Sequence, residues 1–340
     1  MSTPKATAPN TQQSTHSIGA LILIVLTAIA IIVALILGGI RLFGQDTEHP
    51  TGDPTENPSI NPFDPDFKVE AWPSDQPLSS YGLLSGTLLI PTADYTPSAD
   101  SLQTIDRRNE SGIQFELSGT GLQIDKAANE ALLRMLTAMN SALSFDESIS
   151  VHTAYSTLHD VDYRTGMTVR FRLKSTVDDS TKFLNEATGD NPVTWFEQNA
   201  WKYGFVLRYP KGNAIEGKEN GVSDVYRYVG IPHAYYITKV LELEDEAVVP
   251  TLEDYLVLVK KATAKNPVAF SVSGSGTDDG VYNVYYVAAK DVDGALLREG
   301  AEIYGVSGDG SGYIVTSYIR TANAPSDNEN STEDSTEEST

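Results

Sequence analysis

Cysteine is absent from the 340 residues, which removes disulfides, thiolate metal sites, a cysteine nucleophile and a lipidated cysteine anchor together. The redox compartment stays open, since exported proteins need not use disulfides. Basic residues are scarce: 24 Lys and Arg stand against 46 Asp and Glu, a formal charge of −22. The chain has no Lys and Arg cluster of the kind that phosphate backbones demand, so nucleic acid is excluded as a partner. The Gly-rich stretches Ser273 to Gly280 and Gly305 to Gly312 lack the Lys-Ser/Thr ending of a phosphate loop and read as hairpin turns. What is present suffices for a folded protein: 40% hydrophobic residues, with 17 Tyr and 3 Trp.

From Ile18 to Ile40 the chain is almost wholly Ile, Leu, Val, Ala and Gly without charge. At about 1.5 Å per residue this run can cross about 30 Å of hydrocarbon. A cleaved signal peptide would show a shorter apolar region and a small-residue cleavage site. Residues 18–43 therefore read as a transmembrane helix behind a short cytoplasmic N-terminus, 1–17. The expected location is the cell membrane, single-pass, with the C-terminal domain extracytoplasmic. Residues 44–73 hold six prolines among Asp, Glu, Thr and Asn, a composition that blocks helix and sheet, and read as a spacer. The last sixteen residues, 325–340, carry six carboxylates and no Lys or Arg and read as an acidic disordered tail.

Between spacer and tail the pattern is mixed. Leu83 to Pro91 reads as a short strand. Ile124, Ala128, Leu132, Met135, Leu136 and Met139 recur at helical spacing behind Asp125, so an amphipathic helix is expected from Asp125 to about Ser141. Ile149 to Tyr155 and Thr168 to Leu173 read as strands, the second with Thr168, Arg170 and Arg172 on one face. Trp195 to Tyr203, His233 to Leu241 and Leu252 to Lys261 read as helices. Val281 to Val287 and Tyr313 to Ser317 read as strands, with turns at Asp293-Gly294 and Gly308 to Gly312. The expected organisation is a main domain over 74–262 and a small β-rich extension over 263–324.

The most distinctive run is Trp195-Phe196-Glu197-Gln198-Asn199-Ala200-Trp201-Lys202-Tyr203-Gly204-Phe205-Val206-Leu207-Arg208-Tyr209-Pro210. It resembles the W-x-x-x-N-A-x-x-Y-G-F-x-x-R-Y-P segment of the VanY-type D-alanyl-D-alanine carboxypeptidases, zinc enzymes that trim the terminal D-alanine from peptidoglycan stem peptides. Arg227-Tyr228-Val229-Gly230 with His233-Ala234, and Thr251-Leu252-Glu253-Asp254-Tyr255-Leu256, resemble two further family segments in the same order. The resemblance implies an α+β fold: an antiparallel sheet with packed helices, preceded here by the transmembrane helix and followed by the β-rich extension.

It also implies a zinc held by two His and one Asp, with a Glu as general base on the metal-bound water. Matched position by position, the ligands are replaced by Tyr163, Arg170 and Val225, and the base by Val222. The family's S-x-Y-R-S, whose Arg is expected to grip the substrate carboxylate, reads Thr153-Ala154-Tyr155-Ser156-Thr157. Valine can neither coordinate zinc nor move a proton, and arginine brings a positive charge beside a cation. The expectation is therefore no bound cofactor, no catalytic residue and a vestigial cleft in which Tyr155, Tyr163, Arg170, Arg208, Tyr209 and Arg227 are the candidate ligand-binding residues. Arg170 could neutralise remaining acids or hold a carboxylate where the cation once sat, or be solvated or paired with a surface Asp. His152, His159, Asp160 and Asp162 lie close in sequence and are the residues from which a relocated metal site could be sought.

The function this implies is a pseudopeptidase, anchored through 18–43, that binds peptidoglycan stem peptides or another envelope protein without hydrolysis. Two other readings stay open: an active D,D-carboxypeptidase with a relocated metal site, and an anchored interaction or regulatory protein acting through its β-rich part.

Overall fold

The amphipathic pattern behind Asp125 produces the longest helix of the described structure. In the computed structural model the Asp125 side chain accepts from the Ala127 backbone N–H at 2.9 Å and caps helix α1, Lys126–Ala142. This satisfies one of the donors that a helix start leaves open. The structure describes residues 66–105, 115–212, 215, 221–245, 248–273 and 280–320, all within one compact unit, residues 59–340. The expected transmembrane helix, most of the spacer, the turn after Ser273 and the acidic tail lie outside the described residues. Among the described residues no helix is long and apolar enough to cross a membrane.

The strands, in chain order, are β1 Val69–Ala71, β2 Leu102–Thr104, β3 Glu116–Leu117, β4 Gln123–Asp125, β5 Ser148–Thr153, β6 Thr168–Lys174, β7 Thr181–Lys182, β8 Phe205–Tyr209, β9 Val222–Tyr228, β10 Val268–Phe270, β11 Gly280–Ala288, β12 Leu296–Arg298, β13 Glu302–Gly308 and β14 Gly312–Arg320. The remaining helices are α2 Pro192–Asn199, α3 Ile231–Tyr235 and α4 Leu252–Val259. The result is an α+β architecture with two main sheets. The larger has the order β3-β5-β6-β9-β8, with β7 also on β6. Its pairs are antiparallel except β3 with β5, which run parallel. The smaller has the order β10-β11-β14-β13 and is antiparallel throughout.

Alternation along β6 decides what each face of the larger sheet does. Val169, Phe171 and Leu173 point into a core with Leu132, Met135, Leu136 and Met139 of α1, Phe196 of α2 and Tyr226 of β9. Phe171 stacks on Phe196 with centroids 4.9 Å apart. Thr168, Arg170 and Arg172 take the opposite face. A second core joins α3 and α4 to the smaller sheet through Tyr255, Leu256, Val284 and Ile314.

Four expectations are corrected. Leu83 to Pro91 forms no strand: Leu88 and Leu89 are buried, but the carbonyls of Thr87 and Leu89 accept from Arg227 Nη2 at 3.3 and 2.9 Å and those of Leu83 and Ser85 from the Gly310 and Gly308 N–H, so separate contacts replace a strand ladder. Val69–Ala71, within the stretch read as spacer, pairs with Leu296–Arg298, because no proline falls between Pro65 and Pro73 and the N–H donors are free to pair. His233 to Leu241 is not one α-helix but α3 followed by a π-turn over Tyr236–Val240. Gly305 and Gly308 belong to strand β13, so the turn is confined to 309–311.

Gly166 closes the turn before β6 with φ +72°, where a Cβ would lie 3.0 Å from the Asp125 backbone nitrogen and 2.6 Å from Leu102 Cδ2. Gly166→Ala is expected to destabilise by about 1–3 kcal/mol, measurable as a lowered denaturant midpoint with unchanged slope.

Candidate functional site

The antiparallel register of β6 and β9 sets Arg170 directly opposite Val225 and Thr168 opposite Arg227. The short 3₁₀ turn Val161–Thr165, capped by Asp160 through the Asp162 N–H at 3.0 Å, brings Tyr163 onto the same spot. Tyr163, Val225 and Tyr209 form a small buried cluster with Val222 packed against it. The four positions matched to metal chemistry in the sequence therefore meet in space. Burial raises the Tyr163 phenol to about 12, so it is protonated at neutral pH. A protonated phenol, a hydrocarbon and a guanidinium do not fit a zinc ion.

The relocated site fares no better geometrically. Asp162 is 1% exposed and faces inward to Arg208, Asp160 caps the turn, and His159 Nδ1 lies 2.7 Å from Ser156 Oγ. Among the described residues no three His, Asp or Glu side chains come together to hold a metal.

Beside the apolar cluster lies an open polar pocket of about 310 Å³, lined by Arg170, Phe183, Asn185, Glu186, Val222 and Asp224 among others. Arg170 Nε lies 3.3 Å from Asp224 Oδ2, and Arg172 pairs with the same oxygen. The Arg172 guanidinium also stacks over the Phe183 ring at 4.2 Å. Arg170 is thus paired, as one reading of the sequence has it, but with an aspartate that is 1% exposed rather than a surface one. Of the six candidates, Arg170 lines the pocket. Tyr163 sits behind it, and Tyr155 lies at the end of β5 outside the lining.

Arg208, Tyr209 and Arg227 are placed differently from the sequence reading: they are 2%, 5% and 1% exposed and bind one another's partners inside the fold. Arg208 reaches Asp162 Oδ2 from Nε at 2.9 Å and grips Glu253 from Nη1 and Nη2 at 2.8 and 2.6 Å. The Tyr209 hydroxyl donates to Asp162 Oδ2 at 2.5 Å. Arg227 donates to Thr165 Oγ1 and to the Leu89 carbonyl. Burial lowers the pKa of Arg227 to about 10, leaving it charged at neutral pH. For Arg208 the desolvation is outweighed by Glu253 and Asp162, and the pKa rises. These arginines cross-link the turn, β8 and α4. The sequence reading takes Asp162 only as a possible metal ligand and does not single out Glu253, because an acidic residue in a turn or at a helix start carries no mark of the distant arginine it pairs with.

His233 is a further buried polar group, with Nδ1 2.9 Å from the Tyr255 hydroxyl and Nε2 3.2 Å from Thr316 Oγ1. It joins α3 to α4 and to β14. Burial lowers its pKa to about 3, against about 6.5 in an unfolded chain. The unfolded state therefore binds the extra proton first, and stability that is complete above about pH 6.5 is lost as pH falls toward 3. We expect the unfolding midpoint of the parent to drop more steeply between pH 6.5 and 4 than that of His233→Gln, measured in parallel urea titrations.

No protein-family model matches the chain. A D-alanyl-D-alanine carboxypeptidase of Enterococcus faecium is 28% identical over 117 residues, covering 30% of this chain and 35% of that protein; the chain thus spans about a third of the relative's length. Among solved structures, the vancomycin-resistance D,D-dipeptidase VanXYg, in complex with a D-Ala-D-Ala phosphinate analogue, aligns over 74% of this chain and 99% of its own with a TM-score of 0.52 at 18% identity. The LD-carboxypeptidase LdcB aligns over 50% of this chain and 82% of its own, with a TM-score of 0.35 and 24% identity. The chain thus has one segment similar in sequence to a D-alanyl-D-alanine carboxypeptidase and a fold shared with the D,D-dipeptidase VanXYg.

Proposed function

We propose that the chain is a membrane-anchored, extracytoplasmic carboxypeptidase-like module that binds D-alanine-terminated peptidoglycan stem peptides without hydrolysing them. The observation that carries this reading is the convergence of Tyr163, Arg170, Val222 and Val225 on one spot. A peptidase of this kind needs three donors and a base there, and these side chains supply one cation and a hydrocarbon wall. Arg170, although paired with Asp224 through Nε, keeps its side chain 25% exposed at the pocket, where its guanidinium can meet a carboxylate, the group at the end of every such peptide. The relative's activity and the phosphinate analogue bound by VanXYg point to the ligand class. Anchoring through 18–43 rests on the apolar run alone.

The test is zinc content and peptide binding on one preparation. After dialysis against metal-free buffer and re-addition of zinc, the protein should retain less than about a tenth of an equivalent. A stem peptide ending in D-Ala-D-Ala should bind without cleavage, and more weakly to Arg170→Ala. About one equivalent of retained zinc with release of D-alanine would make the chain an enzyme instead.

A further inference from the structure

A second pocket, of about 380 Å³, shares no lining residue with the polar one beside Arg170. Its walls include Phe196 of α2, Trp201 of the 3₁₀ turn that continues it, Phe205 and Leu207 of β8, and Ile237 of the π-turn. The volume is more than twice the roughly 150 Å³ that holds benzene in an apolar protein interior. Such a size and such a hydrocarbon lining are those of small-molecule sites. π-Turns are rare and recur at functional sites, and this one brings Ile237, Thr238 and Lys239 to the wall.

One polar group interrupts the hydrocarbon. Tyr226 of β9 is 1% exposed and belongs to the lining, and its hydroxyl has no hydrogen-bond partner among the described residues. Phe171 and Phe196 pack against its ring with centroids 6.0 and 5.1 Å away, which fixes where the hydroxyl sits. Burial and then the carboxylate of Glu197, itself on the pocket wall, raise the phenol above its ordinary range. The hydroxyl therefore stays protonated, on the Glu197 side of the ring and toward the pocket. A buried hydroxyl without a partner is uncommon in folded proteins, because it has given up water for nothing. At the opening, the exposed residues Glu197 and Lys239 carry opposite charges, so neither sign of ligand is favoured there.

We propose that this pocket binds a small uncharged molecule, an aromatic ring bearing a carbonyl group, with the ring among Phe196, Trp201 and Ile237 and the carbonyl oxygen accepting from Tyr226 Oη. Aromatic walls suit an aromatic ring through offset and edge-to-face contacts. The site stands apart from the stem-peptide reading, since it uses neither Arg170 nor any other residue of the polar pocket.

The test uses acetophenone and α-methylstyrene, which has a CH₂ in place of the carbonyl oxygen. Each is titrated into the full-length chain labelled at its Ala, Ile, Leu and Val methyl groups, and the methyl NMR spectrum is followed. Acetophenone should shift the methyls of Ala200, Ile237 and Val249 in a saturable way. Tyr226→Phe, which removes one oxygen, should weaken acetophenone by about three- to tenfold, the worth of a neutral hydrogen bond, and leave α-methylstyrene unchanged. Thr238→Phe, at an exposed wall position, should weaken both by obstructing the opening. Partition of the probes into lipid or detergent is common to all variants and cancels in the ratios. Methyl signals remote from the pocket report that each variant is folded.

No saturable shift up to the solubility limit of acetophenone overturns the proposal. So does an unchanged acetophenone affinity in Tyr226→Phe, or an equal loss for both probes, which would make the hydroxyl a structural group only. A urea titration without ligand adds an independent check: Tyr226→Phe should be at least as stable as the parent, because no internal bond is lost. A clear drop in its midpoint would show that the hydroxyl already has a partner inside the fold and would remove the basis for a carbonyl-bearing ligand. None of these outcomes bears on zinc content or on the binding of stem peptides, so failure here and failure of the stem-peptide reading are told apart.

Discussion

Replacing Arg208 by methionine should destabilise the fold by about 3–5 kcal/mol, because it takes the Arg208 counter-charge away from the buried Asp162 carboxylate. Both side chains of the Arg208–Asp162 pair are 1% exposed, so water cannot take over the missing contacts. Glu253 is different, with its side chain 33% exposed. Glu253→Gln should therefore cost no more than about 1 kcal/mol, since a partly solvated partner is screened. The contrast is informative: the same arginine makes shorter bonds to Glu253 than to Asp162, yet burial ranks the two acids in the opposite order. Urea unfolding of the two single variants reads the difference directly. A double variant, Arg208→Met with Asp162→Leu, should recover part of the loss, because removing both charges also removes their desolvation. Equal effects of the Arg208 and Glu253 changes would mean that Asp162 finds another partner or that water reaches it.

The apolar skeleton is legible in the sequence and the polar one is not. Helix α1 and strand β6 appear where 3.6- and 2-residue periodicities place them, since burying one face is sufficient to fix each element. The segment Leu83 to Pro91 misleads because Leu88 and Leu89 are indeed buried, while its backbone groups find scattered partners: two carbonyls accept from Arg227, 138 and 140 residues away, and two others from the Gly308 and Gly310 N–H. Periodicity carries no information about such a bond. The π-turn after α3 is likewise invisible, as the apolar spacing from His233 to Leu241 fits an α-helix equally well. The spot shared by Tyr163, Arg170 and Val225 is reachable only through the family resemblance. Nothing in their residue types marks them as neighbours; strand register does. The pairing of both Arg170 and Arg172 with Asp224 also needs the third dimension, because it depends on the sheet bringing β9 beside β6.

That register makes a reverse experiment informative. If Tyr163, Arg170 and Val225 stand where metal donors would stand, the triple variant Tyr163→His, Arg170→Asp, Val225→His should gain a zinc site. Val225 and Arg170 are facing partners across β6 and β9, and Tyr163 packs on Val225, so two imidazoles and a carboxylate would converge with a solvent position left from the neighbouring pocket. Three such ligands with an open fourth position are what catalytic zinc sites use. The carboxylate introduced in place of Arg170 would approach Asp224, but Arg172 stays in place to balance that acid. We expect about one equivalent of zinc held through metal-free dialysis, and a rise in thermal midpoint with zinc concentration, because an ion that binds only the folded state stabilises it by mass action. The parent and the single variant Val225→His should show neither, since one added imidazole leaves a phenol and a guanidinium beside it. A triple variant with a native-like circular dichroism spectrum and no zinc would show that the three positions, though adjacent, do not point at a common centre, and would remove the geometric support for matching them to a metal site.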